Sequence, residues 1–416
     1  MRKRVPPSEQ LKQALTIVLE QGSEGEEHPL DQFIRLGARY VLQVAFEQEV
    51  TEWLGRAHYQ RGARRRRGWR NGYEPKGLKT PLGTLPVAVP QVRGTEEPFP
   101  ARVAQAVGTR SQALERLATR MWVRGLSQAD VEALFLEALG SRVISRTGVS
   151  EVSRQLQADF EGWQRRDLSA LKVVYLFLDA IYLAVRQGTE EQEGVLCAYG
   201  ILETGQKVLL HLALGSRESY DAWLSFLHDL TARGLEAPLL VISDGQPGLR
   251  KALREGFPRA FHQRCQVHKM RNILAKLPQA ARALLKPLIR QVFCAATYEQ
   301  GLARGRALIA RWRTRYPSAM ACLEQDLEAC LVYLKFPKEH HKSIRTTNLL
   351  ERTFGEGRRR TKVIPRFPTE TACLKLVFAT LLTAAQRWRG LRMSPRLLRE
   401  LDAIRRERYP VQSQVA

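Results

Sequence analysis

The chain has 416 residues, of which 44% are hydrophobic, so it can form two or three domains with real cores and is not a disordered tail protein. Its formal net charge of +24 and pI of about 10.2 indicate a polyanionic partner, with nucleic acid as the first choice, because bound phosphates usually offset such self-repulsion. Apolar runs of about 18 residues, lipidation motifs, a secretory signal and CxxC pairs are absent from the sequence, so we expect a cytoplasmic protein without membrane association.

The first predicted element is an amphipathic helix over residues 30–54, because apolar residues recur there at helical spacing. A basic arm follows at 56–70, with seven arginines and no acid. Beyond it, glycines and prolines separate short β-like pieces in RNGYEPKGLKTPLGTLPVAVPQVRG, which predicts a small β hairpin. We therefore place a helical N-terminal segment at 1–55 and the basic arm with its hairpin at 56–110.

Three helical patterns follow between residues 111 and 168, the third of which starts near Ser145, and Ser127 and Ser150 are candidate N-caps. The short helices and the glycines between them favour a helix-turn-helix DNA-binding module at 111–168. A plain helical bundle that links two domains is the alternative, because helix-turn-helix patterns often arise by chance. The N-terminal region as a whole is therefore predicted to be mainly helical.

The pattern changes to strands at residue 171. VVYLFLDAIYLAV, GVLCAYGIL and KVLLHLALG predict an antiparallel meander, and a helix, the strand APLLVIS, a second helix and a candidate fifth strand in RAFHQRC follow. This order predicts an α/β core with a mixed five-stranded sheet, which is ribonuclease H-like if the fourth strand pairs with the first. We place the first part of this core at 169–267, a large all-helical insertion at 268–343, and the second part with basic C-terminal helices at 344–416.

Three acids stand out in this core: Asp179 inside the first strand, Asp244 at the end of the fourth, and Glu351 in a predicted helix beside many arginines. A charge in a buried strand must be compensated, and the carboxyl end of a strand is the usual place for ligand chemistry in an open α/β sheet. Three acids that converge repel one another unless divalent cations neutralise them, and Mg²⁺ suits a substrate that carries phosphates. The pattern therefore predicts a two-metal phosphoryl-transfer site.

Each acid also has a simpler explanation. Asp244 could cap the helix that starts near Gly248, and Glu351 could pair with a surface arginine. Asp179 is harder to explain in this way, because it interrupts an apolar run.

Several segments resemble the bacterial Mutator-type insertion-sequence transposases, which are DDE enzymes with a ribonuclease H-like core. The resemblance covers residues 70–388 and depends on RNGY, TPLGTL, VPQVRG, RGLS, LDAIYLAVR, ESYDAWLSFLHDLTARGL, VISDGQPGL, FHQRCQVHKMRNIL and IRTTNLLERTFGEGRRRTKVIPRFP in family order. It implies that Asp179, Asp244 and Glu351 are the catalytic acids and the ligands of two Mg²⁺ ions, for which Mn²⁺ can substitute. It also implies that Cys265 and His268 form the Cys-x-x-His signature of the family.

This chain departs from the family pattern at KEHHKSIRTTN, where His340, His341 and Lys342 stand in place of a tryptophan shortly before TTN. Cys265 and His268 leave three interpretations open: a zinc site, a buried structural pair, or a pair that positions DNA near the metals. A structural zinc needs four ligands, and the only other near pair is formed by the two adjacent histidines.

The predicted DNA contacts lie in the basic arm, after the Cys-x-x-His pair, or near Glu351. Phosphates give a physical reason for a run of arginines without acids, because binding releases counterions from DNA. Trp69 lies among arginines and is predicted to stack on nucleic acid, whereas Trp223 lies in an apolar stripe and is predicted to be core. The full set of predicted contacts is Arg64, Arg65, Arg66, Arg67, Trp69, Arg70, Lys269, Arg271, Arg345, Arg358, Arg359, Arg360 and Lys362.

The resemblance implies a Mg²⁺-dependent DNA transposase of bacterial cytoplasm and nucleoid that binds terminal inverted repeats, cuts with water and joins with the new 3′-hydroxyl. Its partners would be double-stranded transposon ends and target DNA. Since two ends must be joined, a homodimer or larger synaptic complex is expected. A junction resolvase with the same sheet, or a DNA-binding regulator with a vestigial acid cluster, are the competing functions.

Overall fold

The computed structural model describes residues 5–22, 28–58, 60, 68–124, 126–184, 192–215, 219–361 and 369–409 of the chain. Within these ranges the helices and strands belong to two units, Met1–Gln155 and Leu156–Ala416. No helix in the described ranges combines the length and the apolar character that a bilayer crossing requires.

Unit 1 consists of a hairpin and several helices. Its elements are α1 (Pro7–Gln21), α2 (Pro29–Leu54), β1 (Trp69–Thr80), β2 (Gly83–Arg93), α3 (Arg102–Val107), α4 (Gln112–Val123), α5 (Gln128–Leu139) and the first part of α6 (Arg146–Arg165). β1 and β2 pair antiparallel, as the turn residues between them predicted. Leu78, Leu85 and Val87 of the hairpin pack against Phe46 of α2, so the long helix covers the apolar face of the hairpin.

A separate helical core forms where α4, α5 and the start of α6 meet, around Leu114, Val131 and Phe135. The predicted cap at Ser127 is confirmed, because its side chain and that of Asp130 form a capping box at the start of α5. The predicted cap at Ser150 is wrong, since α6 begins at Arg146 and Ser150 lies inside it. The helix itself starts where its pattern predicted, next to Ser145, whose Oγ accepts a hydrogen bond from the Gly148 amide at 3.2 Å.

Unit 2 contains a mixed sheet. Its strands are β3 (Val173–Ala184), β4 (Gln192–Leu202), β5 (Lys207–Gly215), β6 (Leu240–Ser243) and β7 (Phe261–Arg264). Within the described residues they form a five-stranded sheet in the order β5-β4-β3-β6-β7. The antiparallel meander β3-β4-β5 is confirmed, and the fourth strand pairs parallel with the first, as the ribonuclease H-like arrangement requires.

One face of the sheet is covered by α7 (Tyr220–Ala232) and α8 (Pro247–Gly256). Leu176 and Leu178 of β3 lie in this core with Trp223 of α7, which is fully buried as its apolar stripe predicted. Since side chains alternate along a strand, Tyr175, Phe177 and the positions in phase with them point to the other face. β3 is therefore buried on both sides, which explains its nearly continuous apolar sequence.

The chain from β7 to α15 contains helices joined by short turns and no strand, and all of it is described. Its elements are α9 (Gln266–Ala275), α10 (Gln279–Phe293), α11 (Tyr298–Trp312), α12 (Pro317–Gln325), α13 (Leu327–Leu331), two short 3₁₀ turns (Val332–Lys335 and Lys338–His340) and α14 (His341–Ile344). These helices bury a core of their own around Leu285, Ile289 and Met320. The remaining helices are α15 (Asn348–Thr361), α16 (Glu370–Ala385) and α17 (Pro395–Arg408). α15 packs against β3 and α16.

Candidate active site

The strands β6 and β7 end in one row at the carboxyl edge of the sheet, and β3 continues beyond that row in its pairing with β4. The register pairs Leu178 of β3 with Ser243 of β6, and Ser243 with the last residue of β7. All three strands run parallel, so the next residues along the chain, Asp179, Asp244 and Cys265, continue the row. Neighbouring strands lie roughly 4.8 Å apart, so the two aspartates are adjacent across the sheet.

Asp179 lies on the sheet face opposite α7 and α8, because Leu178 and Ala180 on either side of it point into the core beneath those helices. The residue is partly exposed. On its other side it pairs in register with Cys197 of β4, and burial together with the charge of Asp179 raises the pKa of the Cys197 thiol. The thiol therefore stays neutral beside the carboxylate.

Asp244 stands just before α8 but does not cap it. Its Oδ1 accepts a hydrogen bond from the Gln246 amide at 3.0 Å, and Gln246 is the residue that caps the helix, accepting from the Leu249 amide at 2.9 Å. The alternative in which Asp244 is the helix cap is therefore wrong. Gly245 has φ +73°, and a Cβ there would collide with the guanidinium of Arg264, so the turn requires glycine.

Glu351 approaches the same edge from the first turn of α15. Its amide donates to the Thr347 carbonyl at 3.1 Å, and the amide and Oγ1 of Thr347 lie 3.4 and 3.5 Å from Cys265 Sγ. One turn further, Glu351 Oε1 lies 3.0 Å from His268 Nε2. Among the described residues, Glu351 pairs with His268 and not with a surface arginine. Cys265 and His268, at the start of α9, therefore hold the start of α15 at two points.

The Cys-x-x-His pair brings a positive charge to these acids. The neighbouring Cys265 thiol raises the pKa of His268 to about 9, and the charges of Asp179 and Glu351 raise it as well. Burial raises the pKa of the Cys265 thiol, but interactions with His268 and Thr347 outweigh burial and bring that pKa below its ordinary value. His268 is therefore an imidazolium at neutral pH, within electrostatic reach of two of the three acids.

The donor set fits a hard, oxygen-preferring cation better than zinc. Asp179 and Asp244 supply carboxylate oxygens from adjacent strands, which are the ligands that Mg²⁺ prefers. Among the described residues, no three His, Cys, Asp or Glu side chains are grouped so as to hold an ion. Cys265 and His268 contact Thr347 and Glu351, which gives no support to a zinc site with four ligands.

A second ionic cluster in unit 2 surrounds Asp326, which is 5% exposed. Its Oδ2 lies 2.6 Å from Lys269 Nζ and 3.3 Å from Arg264 Nε, and its Oδ1 lies 3.1 Å from Arg250 Nη1. The prediction that Lys269 contacts DNA is therefore wrong, because its ammonium is buried and neutralises an internal carboxylate. We call Asp326 with its three cations the Asp326 cluster.

Four predicted DNA contacts lie in exposed or partly exposed positions of unit 2. Arg271 and Arg345 line a cavity of about 1080 Å³, and Arg358 and Arg359 are exposed on α15 beyond Glu351. These positions are compatible with phosphate contacts.

The predicted contacts of unit 1 are only partly described. Trp69 is 50% exposed and its ring lies against Gly94, whereas Arg70 donates to Thr51 Oγ1 at 2.9 Å and to the Arg56 carbonyl at 3.0 Å. Arg70 therefore ties β1 to the end of α2. Outside the described residues lie Arg64, Arg65, Arg66, Arg67, Lys362 and the side chain of Arg360.

The histidines that replace the tryptophan of the family pattern have internal partners. The Nδ1 of the buried His340 lies 2.7 Å from the Tyr175 hydroxyl, and its Nε2 lies 3.0 Å from the Arg392 carbonyl. His341 Nε2 lies 2.8 Å from the Phe336 carbonyl. This segment therefore fastens the turn before α14 to β3.

Sequence reasoning missed Asp326 and Thr347. Asp326 stands in ACLEQDLEACL, where its helical neighbours look like an ordinary solvated face, so nothing local marks it as buried. Thr347 had a signal, since it stands next to the helix that carries Glu351, where threonine commonly caps a helix.

Comparison with known proteins gives consistent matches. A family model described as "Transposase, Mutator family" matches residues 10–390. The chain is 34% identical over 351 residues to the transposase for insertion sequence element ISRM5 of Rhizobium meliloti (strain 1021), a match that covers 84% of this chain and 87% of that protein. It is 33% identical over 382 residues to the transposase for IS406 of Burkholderia multivorans, covering 91% and 95% of the two chains. The transposase for IS256 in transposon Tn4001 of Staphylococcus aureus is 30% identical over 351 residues, covering 84% and 89%.

Proposed function

Because this chain belongs to the Mutator family of transposases, we propose that it binds the terminal inverted repeats of an insertion sequence and cleaves and joins DNA strands through a DDE triad. The triad would be Asp179, Asp244 and Glu351 in a ribonuclease H-like core. The observation that carries this proposal is the register of β3 and β6, which makes the two aspartates neighbours at the carboxyl edge of the sheet. The order of the five strands supports the fold assignment.

Asp179 and Asp244 would hold Mg²⁺ on the sheet, and Glu351 would add the third carboxylate from α15. When bound, Mg²⁺ or Mn²⁺ ions at such carboxylates activate the attacking water or 3′-hydroxyl and stabilise the leaving oxygen. His268 fixes the rotamer of Glu351 through their 3.0 Å contact, and Cys265 fixes the helix start through Thr347. These two residues act on the chemistry by positioning an acid.

The imidazolium of His268 has a second consequence. It offsets part of the repulsion among the carboxylates before any cation or DNA is bound, because its charge interacts with Asp179 and Glu351. The site is therefore kept assembled by residues of the chain itself. Arg358 and Arg359, exposed further along α15, would contact the DNA backbone that passes the acids.

Double-stranded transposon ends and target DNA would be the partners, with end recognition by the N-terminal region and a homodimer or larger complex that holds two ends. The test is a strand-transfer assay in which labelled element ends are incubated with a target plasmid and Mg²⁺. We expect joined products with the wild-type chain, none with EDTA, and none with Asp244→Asn, although that variant should bind the ends within a few-fold of the wild type. Hydrolysis without joining would instead favour a resolvase-like nuclease, and binding without Mg²⁺-dependent cleavage a regulator.

A further inference from the structure

The cavity of about 1080 Å³ beside α15 is lined, among the described residues, by basic side chains without acidic ones. Within the described residues, its wall carries eight lysine and arginine side chains and no aspartate or glutamate. We name it the basic groove. Its cations include Arg271, Lys286, Arg290, Arg345, Arg352 and Arg389.

None of these eight cations forms an ion pair with a carboxylate in the part of the chain that the structure describes. Another cavity of unit 2, of about 410 Å³, shows the contrast, because its arginines Arg306 and Arg313 pair with Glu328 and Glu324. The positive charge of the smaller cavity is compensated by the protein. The charge of the basic groove is left for an external anion.

The basic groove begins beside the proposed catalytic acids. On α15, Arg352 lines the groove and the preceding residue, Glu351, contacts His268. On α9, His268 contacts Glu351, Lys269 is buried against the Asp326 cluster, and Arg271 lines the groove. Successive helical residues point about 100° apart, so both helices present one face to the acids and the adjacent face to the groove.

The chemistry of the wall indicates which part of a nucleic acid it would contact. Apolar side chains such as Met270 and Leu274 lie between the cations, which suits a chain of charged phosphates and less polar sugars. Two rings, Tyr199 and Phe293, also line the groove, but they are only 1% and 3% exposed and offer no face for base stacking. The wall is therefore suited to a backbone and not to a base sequence.

We infer that the basic groove holds the sugar–phosphate backbone of the DNA strand next to the scissile phosphate without recognising its sequence. This inference rests on the proposed function, since it requires DNA at the acids. Each phosphate that the groove neutralises releases condensed counterions, so the groove contributes to the salt dependence of binding.

Salt dependence gives the first test. The full-length chain with Asp179→Asn, which leaves DNA uncut, is compared with the same chain carrying Arg271→Gln, Lys286→Gln and Arg290→Gln. The dissociation constant is measured over a range of salt for an element-end duplex and for an unrelated duplex of equal length. We expect the plot of log dissociation constant against log salt concentration to become less steep by about 2 to 3, because each lost phosphate contact on a duplex accounts for roughly 0.9. The affinity should fall by about tenfold or more.

The groove variant should lose the same amount of affinity for the element-end duplex and for the unrelated duplex, because backbone contacts carry no sequence information. The matched control removes three exposed cations of the same helical region, with Arg306→Gln and Arg311→Gln on α11 and Arg313→Gln at its C-cap. This control should leave the slope close to that of the parent. A groove variant with the parent slope, a control variant with the same loss, or a loss confined to the element end would each overturn the inference.

A native cysteine provides the second test. Cys294 is exposed in the basic groove, where Arg345 Nη1 lies 3.6 Å from its sulfur, whereas Cys197, Cys265, Cys330 and Cys373 are buried. DNA with an activated disulfide tethered to a phosphate within a few nucleotides of the scissile position should form an adduct with the chain. The adduct should disappear in Cys294→Ser and persist in Cys322→Ser, which removes the partly exposed cysteine of α12.

A tether about ten nucleotides away should give little adduct. Cross-linking through Cys322, or equal yields from near and far tethers, would contradict the inference. A different result would contradict the proposed function, namely Mg²⁺-dependent cleavage by the Asp179→Asn variant. A groove that proves irrelevant to binding leaves that chemistry unaffected.

Discussion

The Asp326 cluster and the candidate active site both place carboxylates and cations together in unit 2, yet their charge balance is opposite. The Asp326 cluster has one buried carboxylate and three cations, each within 3.3 Å of an oxygen. The candidate active site has three acids that approach one edge of the sheet, and among the described residues His268 is the cation that contacts one of them.

The balance of carboxylates and cations therefore distinguishes an ionic cluster that stabilises the fold from one that is available to bind a ligand. In the Asp326 cluster the acid is fully surrounded, so it connects α8, β7 and α9 to the turn before α13. At the candidate active site the acids outnumber the cation that contacts them, and repulsion among carboxylates is the kind of imbalance that divalent cations relieve. Arg264 belongs to the cluster and also packs across Gly245, next to Asp244, so the two regions share one side chain.

The largest expected effect comes from Asp179→Asn. Removing one charged group from a preorganised site typically costs about 10²–10³-fold in rate, so strand cleavage should fall by at least that factor. The stability of unit 2 should stay the same or rise, because the change relieves repulsion among acids. Cleavage assays and urea unfolding measure the two effects, with Asp402→Asn, an exposed acid on α17, as the control. A variant that loses stability and activity together would remove the distinction between the two regions.

Asp326→Ala should have the opposite effect. It leaves three cations in or near the interior without their carboxylate, and breaking a buried pair in this way costs about 3–5 kcal/mol. The free energy of unfolding from urea titration checks this value. Glu328→Ala removes an acid two residues away that is 70% exposed, and it should change stability by less than about 1 kcal/mol. Similar losses in both variants would mean that the Asp326 cluster is not a structural centre.

His268→Ala should lower cleavage by about 10–100-fold, because removing a residue that orients a metal ligand usually costs this much. The Mg²⁺ concentration for half-maximal rate should rise, and end binding should stay close to the wild-type value. His268→Gln, which keeps a donor for Glu351, should recover part of the rate. Equal losses in the two variants, without a change in Mg²⁺ dependence, would contradict a positioning role.

Lowering the pH should reduce the free energy of unfolding through His262, which lies within electrostatic reach of the Asp326 cluster. Burial, followed by the charges of Arg250 and Arg264, lowers the pKa of His262 to about 4 from its ordinary value of 6.5. A group whose pKa is lowered by folding stabilises the fold above its unfolded pKa and loses that contribution as the pH falls through the folded value. Between pH 6.5 and 4 the wild type should therefore lose more stability than His262→Gln, whose amide can still bond Ser243. Urea titrations at several pH values measure the difference, and parallel curves would refute the assignment.

The smallest effect concerns the pair Arg313–Glu324, whose side chains are 54% and 55% exposed. A double-mutant cycle with Arg313→Ala and Glu324→Ala should give a coupling energy of at most about 1 kcal/mol, because water screens exposed pairs. A value near that of the Asp326 cluster would show that burial does not separate the two kinds of ion pair.

Much of the sheet and the hairpin could be predicted from the sequence, because strands and turns leave local patterns. The apolar run VVYLFLDAIYLAV and the turn residues after it predicted the meander, and the apolar run before Asp244 predicted β6. The start of α6 near Ser145 was also predicted, but the candidate cap at Ser150 was wrong, since several residues in that segment can cap a helix.

Lys269 and Arg271 show where sequence reasoning fails. They are two residues apart on α9 and equally basic, yet Lys269 is 2% exposed beside Asp326 and Arg271 lines the basic groove. The partner of Lys269 is 57 residues away in the chain, so no local pattern could identify it.

The sequence by itself determined the order of the strands along the chain, the positions of the three acids, and the excess of positive charge, because these depend on residue type and on neighbours in the chain. Only the tertiary structure decided that Asp179 and Asp244 are adjacent, that Cys265 and His268 hold the helix of Glu351, and which cations face the groove. These depend on strand pairing and helix packing between distant segments, where burial and hydrogen bonding select one arrangement among many that the same local patterns allow.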